Sequence, residues 1–121
     1  MSGRAVTFTV PGKPVPAVRM TRQSKFTSAA AQRYLSYKDA VGWAARNAGC
    51  HEPSGEPIDL LVTVWLPSGL KTRGDLDNYV KTVADGLNGV AWYDDRQVVH
   101  LEAMIVRGGP MVTVTVKDLP R

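Results

Sequence analysis

The chain has one cysteine, few aromatic residues and no long apolar run. Cys50 has no second cysteine to pair with, so an internal disulfide is excluded and a reducing compartment is favoured. No stretch approaches the roughly 18 apolar residues of a membrane-spanning helix, and the first residues lack the apolar core of a signal peptide. We therefore expect a cytoplasmic protein without membrane contact.

Acidic residues are nearly missing from the first part of the chain. Residues 1–46 contain eight Lys or Arg and one acid, Asp39, for a net charge of +7, whereas residues 47–121 carry −3. Such a division suggests a polyanion that one part binds and the other part processes. A surface of scattered, solvated charges is the alternative explanation.

What the chain does have is the size and pattern of one globular domain. Its 121 residues, 44% hydrophobic, suffice for one core and predict a single domain over residues 1–121. Alternating or helical apolar periods occur in six segments. These are residues 6–10, 28–48, 58–66, 75–87, 98–106 and 111–116. The order β-α-β-α-β-β predicts an α+β fold, a mixed sheet with helices packed against it.

The connections between these segments lead to further predictions. A Pro-rich stretch after the first strand carries Lys13, Arg19, Arg22 and Lys25, which we expect to hold the backbone phosphates of a nucleic acid. Long loops of this kind are usually functional or disordered. Residues 107–110, of sequence RGGP, predict a hairpin between the last two strands. Gly86 and Gly89 are expected to weaken the end of the second helix.

Four aspartates in residues 73–98 suggest a metal site. Asp75 and Asp77 stand two apart, and Asp94 and Asp95 follow after a segment of helical length that carries Lys81. Gathered carboxylates repel one another unless a cation joins them. Oxygen ligands favour a hard ion such as Mg²⁺, with Mn²⁺ as a possible substitute. A site that cleaves phosphodiesters is the first hypothesis.

Ordinary structural roles compete for some of these acids. Asp77, Lys81 and Asp85 would share one helix face. Helix capping and pairing with Lys81 explain Asp85 well, but a cap accounts for only one of Asp75 and Asp77. Of the neighbours Asp94 and Asp95, one is expected to face the other carboxylates and one to cap a turn. The residues alone do not choose between the two.

The run GDLDNYVKTVADGLNGVAWYDDRQVV resembles the signature of the RusA family of Holliday junction resolvases. That pattern is roughly D-L-D-N-x-x-K, then D-A/G-L, then D-D-x-Q-V. The matching residues are Asp75, Leu76, Asp77, Asn78, Lys81, Asp85, Gly86, Leu87, Asp94, Asp95, Gln97 and Val98. The stretch VPGKPVPAVRMTR also resembles the start of phage-encoded members.

This resemblance implies the site residues and the reaction. The metal ligands would be Asp75, Asp77 and Asp95, with Lys81 as the essential lysine. Gly74 stands where the best-known members have an arginine, so Arg73 takes that place from one position earlier. Ala84 replaces an aromatic that contacts the junction in some members. The implied activity is Mg²⁺-dependent cleavage of four-way DNA junctions by a homodimer.

Two other functions compatible with the sequence belong to different classes. One is a module that binds branched DNA without cutting it, although a pure binder gains nothing from acids that face phosphate. The other is a metal-dependent nuclease that acts on flaps or other structures. A homodimer is expected because a junction needs two sites. Leu61 and Trp65, on the second face of the strand at residues 58–66, are expected to meet the partner.

Overall fold

Strands and helices follow each other in the order that the sequence predicts. The computed structural model describes residues 3–18, 28–67 and 76–120. Its elements are β1 Ala5–Pro11, α1 Ala29–Ala48, β2 Ile58–Leu66, α2 Leu76–Leu87, a 3₁₀ turn Asp95–Gln97, β3 Val98–Arg107 and β4 Met111–Asp118. The α+β class, with two helices against a mixed four-stranded sheet, is confirmed.

Helix α1 begins and ends at the residues that its sequence indicates. The Ser28 hydroxyl accepts a hydrogen bond from the Ala31 amide at 3.2 Å, which satisfies one of the free amides of the first turn. At the other end Gly49 has a φ of 128°, which side-chain-bearing residues rarely adopt. The cap residues therefore fix both ends of the helix.

The strand order β1-β4-β2-β3 corrects one prediction. β2 pairs parallel with β3 and antiparallel with β4, so β3 and β4 do not form the expected hairpin. Residues 107–110 instead cross the end of β2, where the Gly108 amide donates to the Leu66 carbonyl at 2.8 Å. Gly109, at a φ of 79°, lies so close to Trp65 that a Cβ would stand 2.6 Å from the Trp65 Cβ. The two glycines allow this tight crossing.

One face of the sheet forms the core, and no helix of the described residues packs on the other face. The buried side chains of β2 are Ile58, Leu60, Val62, Val64 and Leu66, as its alternating pattern predicts. Buried residues of β1 and β4 continue this face, and α1 and α2 pack on it. The second face is rich in threonine on β1 and β4.

The two helices cross at a pair of glycines. Gly86 is the penultimate residue of α2, which ends at Leu87, close to the glycines at which the sequence suggested that the helix weakens. A Cβ on Gly86 would stand 2.7 Å from the Lys38 carbonyl oxygen and 2.9 Å from the Val41 Cβ. Gly42 faces Gly86 from α1, and a Cβ on Gly42 would stand 3.3 Å from the Gly86 carbonyl oxygen. Small residues thus bring α2 close to α1, which matters for the site below.

No helix in the described parts of the chain is long and apolar enough to cross a membrane.

Candidate active site

The first turns of α2 present Asp77 and Lys81 to a groove beside the edge strand β3. The groove has a volume of about 690 Å³, and Leu76, Val80, Leu101 and Ala103 form its other walls. Asp77 is exposed, and within the described residues no ion pair or side-chain hydrogen bond engages its carboxylate. Asp77 also lies in the first turn of a helix, where the backbone amides favour negative charge. As far as residues 3–18, 28–67 and 76–120 are concerned, the carboxylate is therefore free to bind a cation.

Lys81 pairs with the acid that follows it by one turn. Its Nζ lies 3.8 Å from Asp85 Oδ2, and 63% of the lysine side chain is exposed. The hydroxyl of the buried residue Tyr34 on α1 donates a hydrogen bond to the same carboxylate oxygen. Burial and this bond hold the pKa of Tyr34 above its usual value. Asp85 is therefore anchored to α1 and forms an ion pair with Lys81.

The neighbours Asp94 and Asp95 have different roles. Asp94 caps the 3₁₀ turn, and its carboxylate accepts hydrogen bonds from the backbone amide and side chain of Arg96. The bond from the Arg96 side chain, followed by that from the amide, lowers the pKa of Asp94. Asp95 accepts one bond, at 2.9 Å, from Nε1 of the fully buried Trp92. Asp94 is thus the capping residue of the pair, as one of the two was expected to be.

Asp77 and Asp95 lie toward the same edge of the sheet. Asp77 lines the groove with Leu101 of β3, and Asp95 stands in the turn that leads into that strand. No hydrogen bond or ion pair links Asp77 or Lys81 to Asp95 in the described residues. Nor does that part of the chain contain three acidic, histidine or cysteine side chains grouped as a metal site. The ligand set expected from the sequence also includes Asp75, and Asp75 lies outside the described residues.

The Pro-rich basic segment passes beside the same helix turn. The Ala17 amide donates to the Asn78 carbonyl at 3.0 Å, next to Asp77. Lys13, earlier in the segment, is exposed. The other residues expected to bind DNA, Arg19, Arg22, Lys25 and Arg73, lie outside the described residues. The chain thus enters its most basic stretch next to the candidate site.

Comparison with protein families agrees with this arrangement. The family model described as Endodeoxyribonuclease RusA matches residues 11–117. The chain belongs to the RusA endodeoxyribonuclease family. The match includes both helices, all of the candidate site and most of the sheet, and the family supports nuclease activity on DNA. No curated protein sequence matches the chain.

The donor chemistry of the described acids fits the divalent metal on which a nuclease of this kind generally depends. Among the described residues, the Asp77 carboxylate has no partner, and Asp95 receives only a neutral indole N–H. Carboxylate oxygens are the ligands that hard divalent ions prefer. The bond from Trp92 also orients Asp95 in the way that hydrogen bonds commonly orient metal ligands.

Two partners of the site were not found from the sequence. Trp92 lies three residues before Asp95 and contacts it across a turn, a spacing that carries no recognised signal. Tyr34 lies in the segment of helical period at residues 28–48, but its hydrogen bond joins residues 51 positions apart. Local periodicity predicts that such a side chain is buried, but it does not predict which distant polar group its hydroxyl will meet.

Proposed function

We propose that this protein is a Mg²⁺-dependent endonuclease that resolves four-way DNA junctions by paired nicks. The observation that carries the proposal is the family match over residues 11–117 together with the uncommitted Asp77 in a groove next to Lys81. Non-cleaving recognition of branched DNA is disfavoured, because an exposed carboxylate facing phosphate weakens binding unless a cation joins it.

Each site residue has a distinct role in this proposal. Asp75, Asp77 and Asp95 hold the divalent ion. When bound, such an ion supplies a Lewis acid for the scissile phosphate and lowers the pKa of a bound water. Lys81 neutralises negative charge that develops on the phosphate oxygens, which is most effective when the ammonium is already in place. Asp85 restrains Lys81 for this task.

The basic segment supplies the contacts to the DNA backbone. Lys13, Arg19, Arg22, Lys25 and Arg73 neutralise phosphates on either side of the cut. Each phosphate contact that is lost lowers the slope of log affinity against log salt by about one unit. The bond between the Ala17 amide and the Asn78 carbonyl supports this assignment, because it places the described part of the segment beside the first turn of α2.

A homodimer presents two sites to the two opposed strands of a junction. The sheet face on which no described helix packs would contact the partner; its side chains on β2 and β3 include Leu61, Trp65, Met104 and Val106, with Thr63 and Glu102 between them. Leu61 and Trp65 are partly exposed there, as expected from the sequence, and they lie next to Met104, which is 57% exposed, and Val106. Sedimentation equilibrium of the wild type and Met104→Lys tests this: we expect a dimer that the lysine shifts toward monomer.

A cleavage assay tests the activity. The full chain is incubated with Mg²⁺ and labelled DNA in three forms: a four-way junction, a linear duplex of one junction arm, and a 5′ flap. We expect symmetric nicks in opposed strands of the junction and no cutting in the presence of EDTA. The duplex controls for non-specific nuclease activity.

Two results would overturn the proposal. Cleavage of the flap with the junction left intact would assign the protein to a different class of structure-specific nuclease. Junction binding with no cleavage at any Mg²⁺ or Mn²⁺ concentration would assign it to branched-DNA binding alone.

A further inference from the structure

The crossing of α1 and α2 forms a polar cleft with an exposed tryptophan at its rim. Trp43 is 61% exposed, and the guanidinium carbon of Arg46 lies 5.2 Å from the centroid of its ring. Lys38 and Asn88 also line the cleft, which has a volume of about 220 Å³. The site described above uses none of these four side chains.

The surroundings of Trp43 do not suit a protein partner. The core of a protein interface is a contiguous apolar patch poor in charged residues. Next to Trp43 along the exposed face of α1 stand Asp39, Arg46 and Asn47, all of them exposed and polar. A single flat ring among polar groups instead suits a flat ligand that stacks on it, and nucleic-acid bases do this in proteins that bind single strands.

The charges in the cleft indicate which part of the DNA it contacts. Lys38 and Arg46 are balanced by Asp39 and Asp85, which line the same cleft. A phosphate would gain little from a balanced set of charges, whereas stacking on an indole requires no net charge. Arg46 lies against the indole, where a cation–π contact holds the ring in place.

The cleft lies close to the candidate catalytic lysine. Asp85 lines the cleft and pairs with Lys81 at 3.8 Å, one helical turn earlier. One turn of helix is about 5.4 Å long. A strand whose phosphate contacts Lys81 would have to extend about one helical turn along α2 to meet the cleft at Asp85.

We propose that Trp43, supported by Arg46, stacks on a DNA base that is unpaired or unstacked near the branch point. This rests on the proposed function, because it requires branched DNA as the substrate. Bases inside a linear duplex are stacked on each other and cannot reach the indole. The contact therefore contributes to the preference for branched DNA over linear duplex.

Binding measurements on the full chain test the proposal. Affinities for the four-way junction and for a linear duplex are measured over a range of salt concentrations, in the Asp77→Asn background so that the DNA stays intact. We expect Trp43→Ala to weaken junction binding by about fivefold or more and to leave duplex binding and the salt slope unchanged. Trp43→Phe should retain most of the affinity, and Asn47→Ala, on the same helix, should change nothing.

A second readout does not depend on comparing affinities. A junction with 2-aminopurine at the branch point should fluoresce less when bound to protein with Trp43 than when bound to Trp43→Ala, since stacking on the indole quenches the analogue. Equal junction affinity and equal fluorescence for the two proteins would overturn the proposal. So would an equal loss for junction and duplex with a smaller salt slope, which marks a phosphate contact. If the wild type does not prefer the junction at all, the proposed function fails instead.

Discussion

The acids between residues 76 and 97 form two groups that differ in what already engages their carboxylates. Asp85 holds the Tyr34 hydroxyl and Lys81, and Asp94 holds the amide and guanidinium of Arg96. Asp77 has no side-chain partner in the described residues, and Asp95 accepts only an indole N–H. These are the engaged and the uncommitted acids. They are close in sequence and identical in chemistry, so only their partners distinguish them.

This difference separates structural from functional roles. An engaged carboxylate would have to give up its existing hydrogen bonds before it could bind a metal ion, whereas an uncommitted one gives up little beyond water. Asp85 joins α2 to α1, and Asp94 caps the 3₁₀ turn. Asp77 and Asp95 remain available for a ligand. Four predictions test this division, and they run from the largest effect to the smallest.

Removing the charge of an uncommitted acid should have the largest effect. Asp77→Asn and Asp95→Asn should each lower the rate of junction cleavage by at least about 100-fold, since changes in residues that merely support a metal ligand already cost about 10- to 100-fold. Junction affinity should be retained. Single-turnover cleavage and gel-shift titration measure the two quantities.

Asp94→Asn is the matched control for Asp95→Asn, because it makes the same change one residue earlier in an engaged acid. We expect it to reduce cleavage only a few-fold. If Asp94→Asn abolished cleavage and Asp95→Asn did not, the assignment within the pair would be reversed.

Lys81 links the two groups, because it follows Asp77 by one turn and pairs with Asp85. Lys81→Ala should slow cleavage roughly 10- to 100-fold and change junction affinity much less, since we assign it to charge that develops during the reaction. Because the lysine is exposed to water, we expect a smaller loss of rate than for a hydrogen-bond donor in a site that excludes water. Lys117→Ala, which removes an exposed lysine from β4, controls for net charge, and equal losses in the two variants would refute the role of Lys81.

The contact that anchors Asp85 to α1 can be removed by deleting the Tyr34 hydroxyl. Tyr34→Phe should destabilise the fold by about 1 kcal/mol, because the Asp85 carboxylate loses a hydrogen bond in a partly buried place. Tyr37→Phe is the matched control on the same helix. The Tyr37 hydroxyl is buried and has no hydrogen-bond partner within the described residues, so its removal should be neutral or slightly stabilising. Urea unfolding measures the stability of both variants. A larger loss of stability in Tyr37→Phe than in Tyr34→Phe would contradict this account.

A third engaged acid, Asp59 on β2, gives the smallest effect. It accepts a hydrogen bond from His100 Nδ1 at 2.7 Å, and this bond, more than the charge of nearby Glu102, raises the pKa of the imidazole. Because the pKa of His100 is higher in the folded protein than in the unfolded chain, the pair stabilises the fold. The stabilisation is complete at a pH below the ordinary histidine pKa of about 6.5, and it is lost as the pH rises through the pKa of the folded protein.

Asp59→Asn should therefore lower the melting temperature more at about pH 5.5 than at about pH 8.5. His51→Asn, which changes the other histidine, serves as the control. If Asp59→Asn lowered the melting temperature more at about pH 8.5 than at about pH 5.5, stabilisation by the protonated His100 would be contradicted.

Local patterns predicted the elements of this fold but not how its last two strands pair. The period of two in β2 predicted both of its faces, and the helical period of residues 28–48 predicted the bounds of α1 to within one residue, because these features depend on neighbouring residues. The three residues between β3 and β4, Gly108 to Pro110, suit a hairpin, yet they suit a crossing over the end of β2 equally well. Only the strand that lies between decides the pairing, and it comes from elsewhere in the chain.

The site shows the same limit. Spacing on a helix placed Asp77, Lys81 and Asp85 on one face, and the adjacent pair indicated that one acid caps a turn. The sequence did not show which acids already have partners, because Tyr34 reaches Asp85 through the crossing of two helices at Gly86. Engagement of a carboxylate is a property of tertiary packing.

The most direct test of the central claim is calorimetric titration of Mn²⁺ into four proteins without DNA: the wild type, Asp77→Asn, Asp85→Asn and Asp94→Asn. Mn²⁺ serves as a probe for the Mg²⁺ site, and the readout does not depend on activity. We predict that Asp77→Asn loses the binding seen in the wild type, while the variants of the engaged acids, Asp85→Asn and Asp94→Asn, keep it. Loss of binding in Asp85→Asn with binding intact in Asp77→Asn would contradict the account.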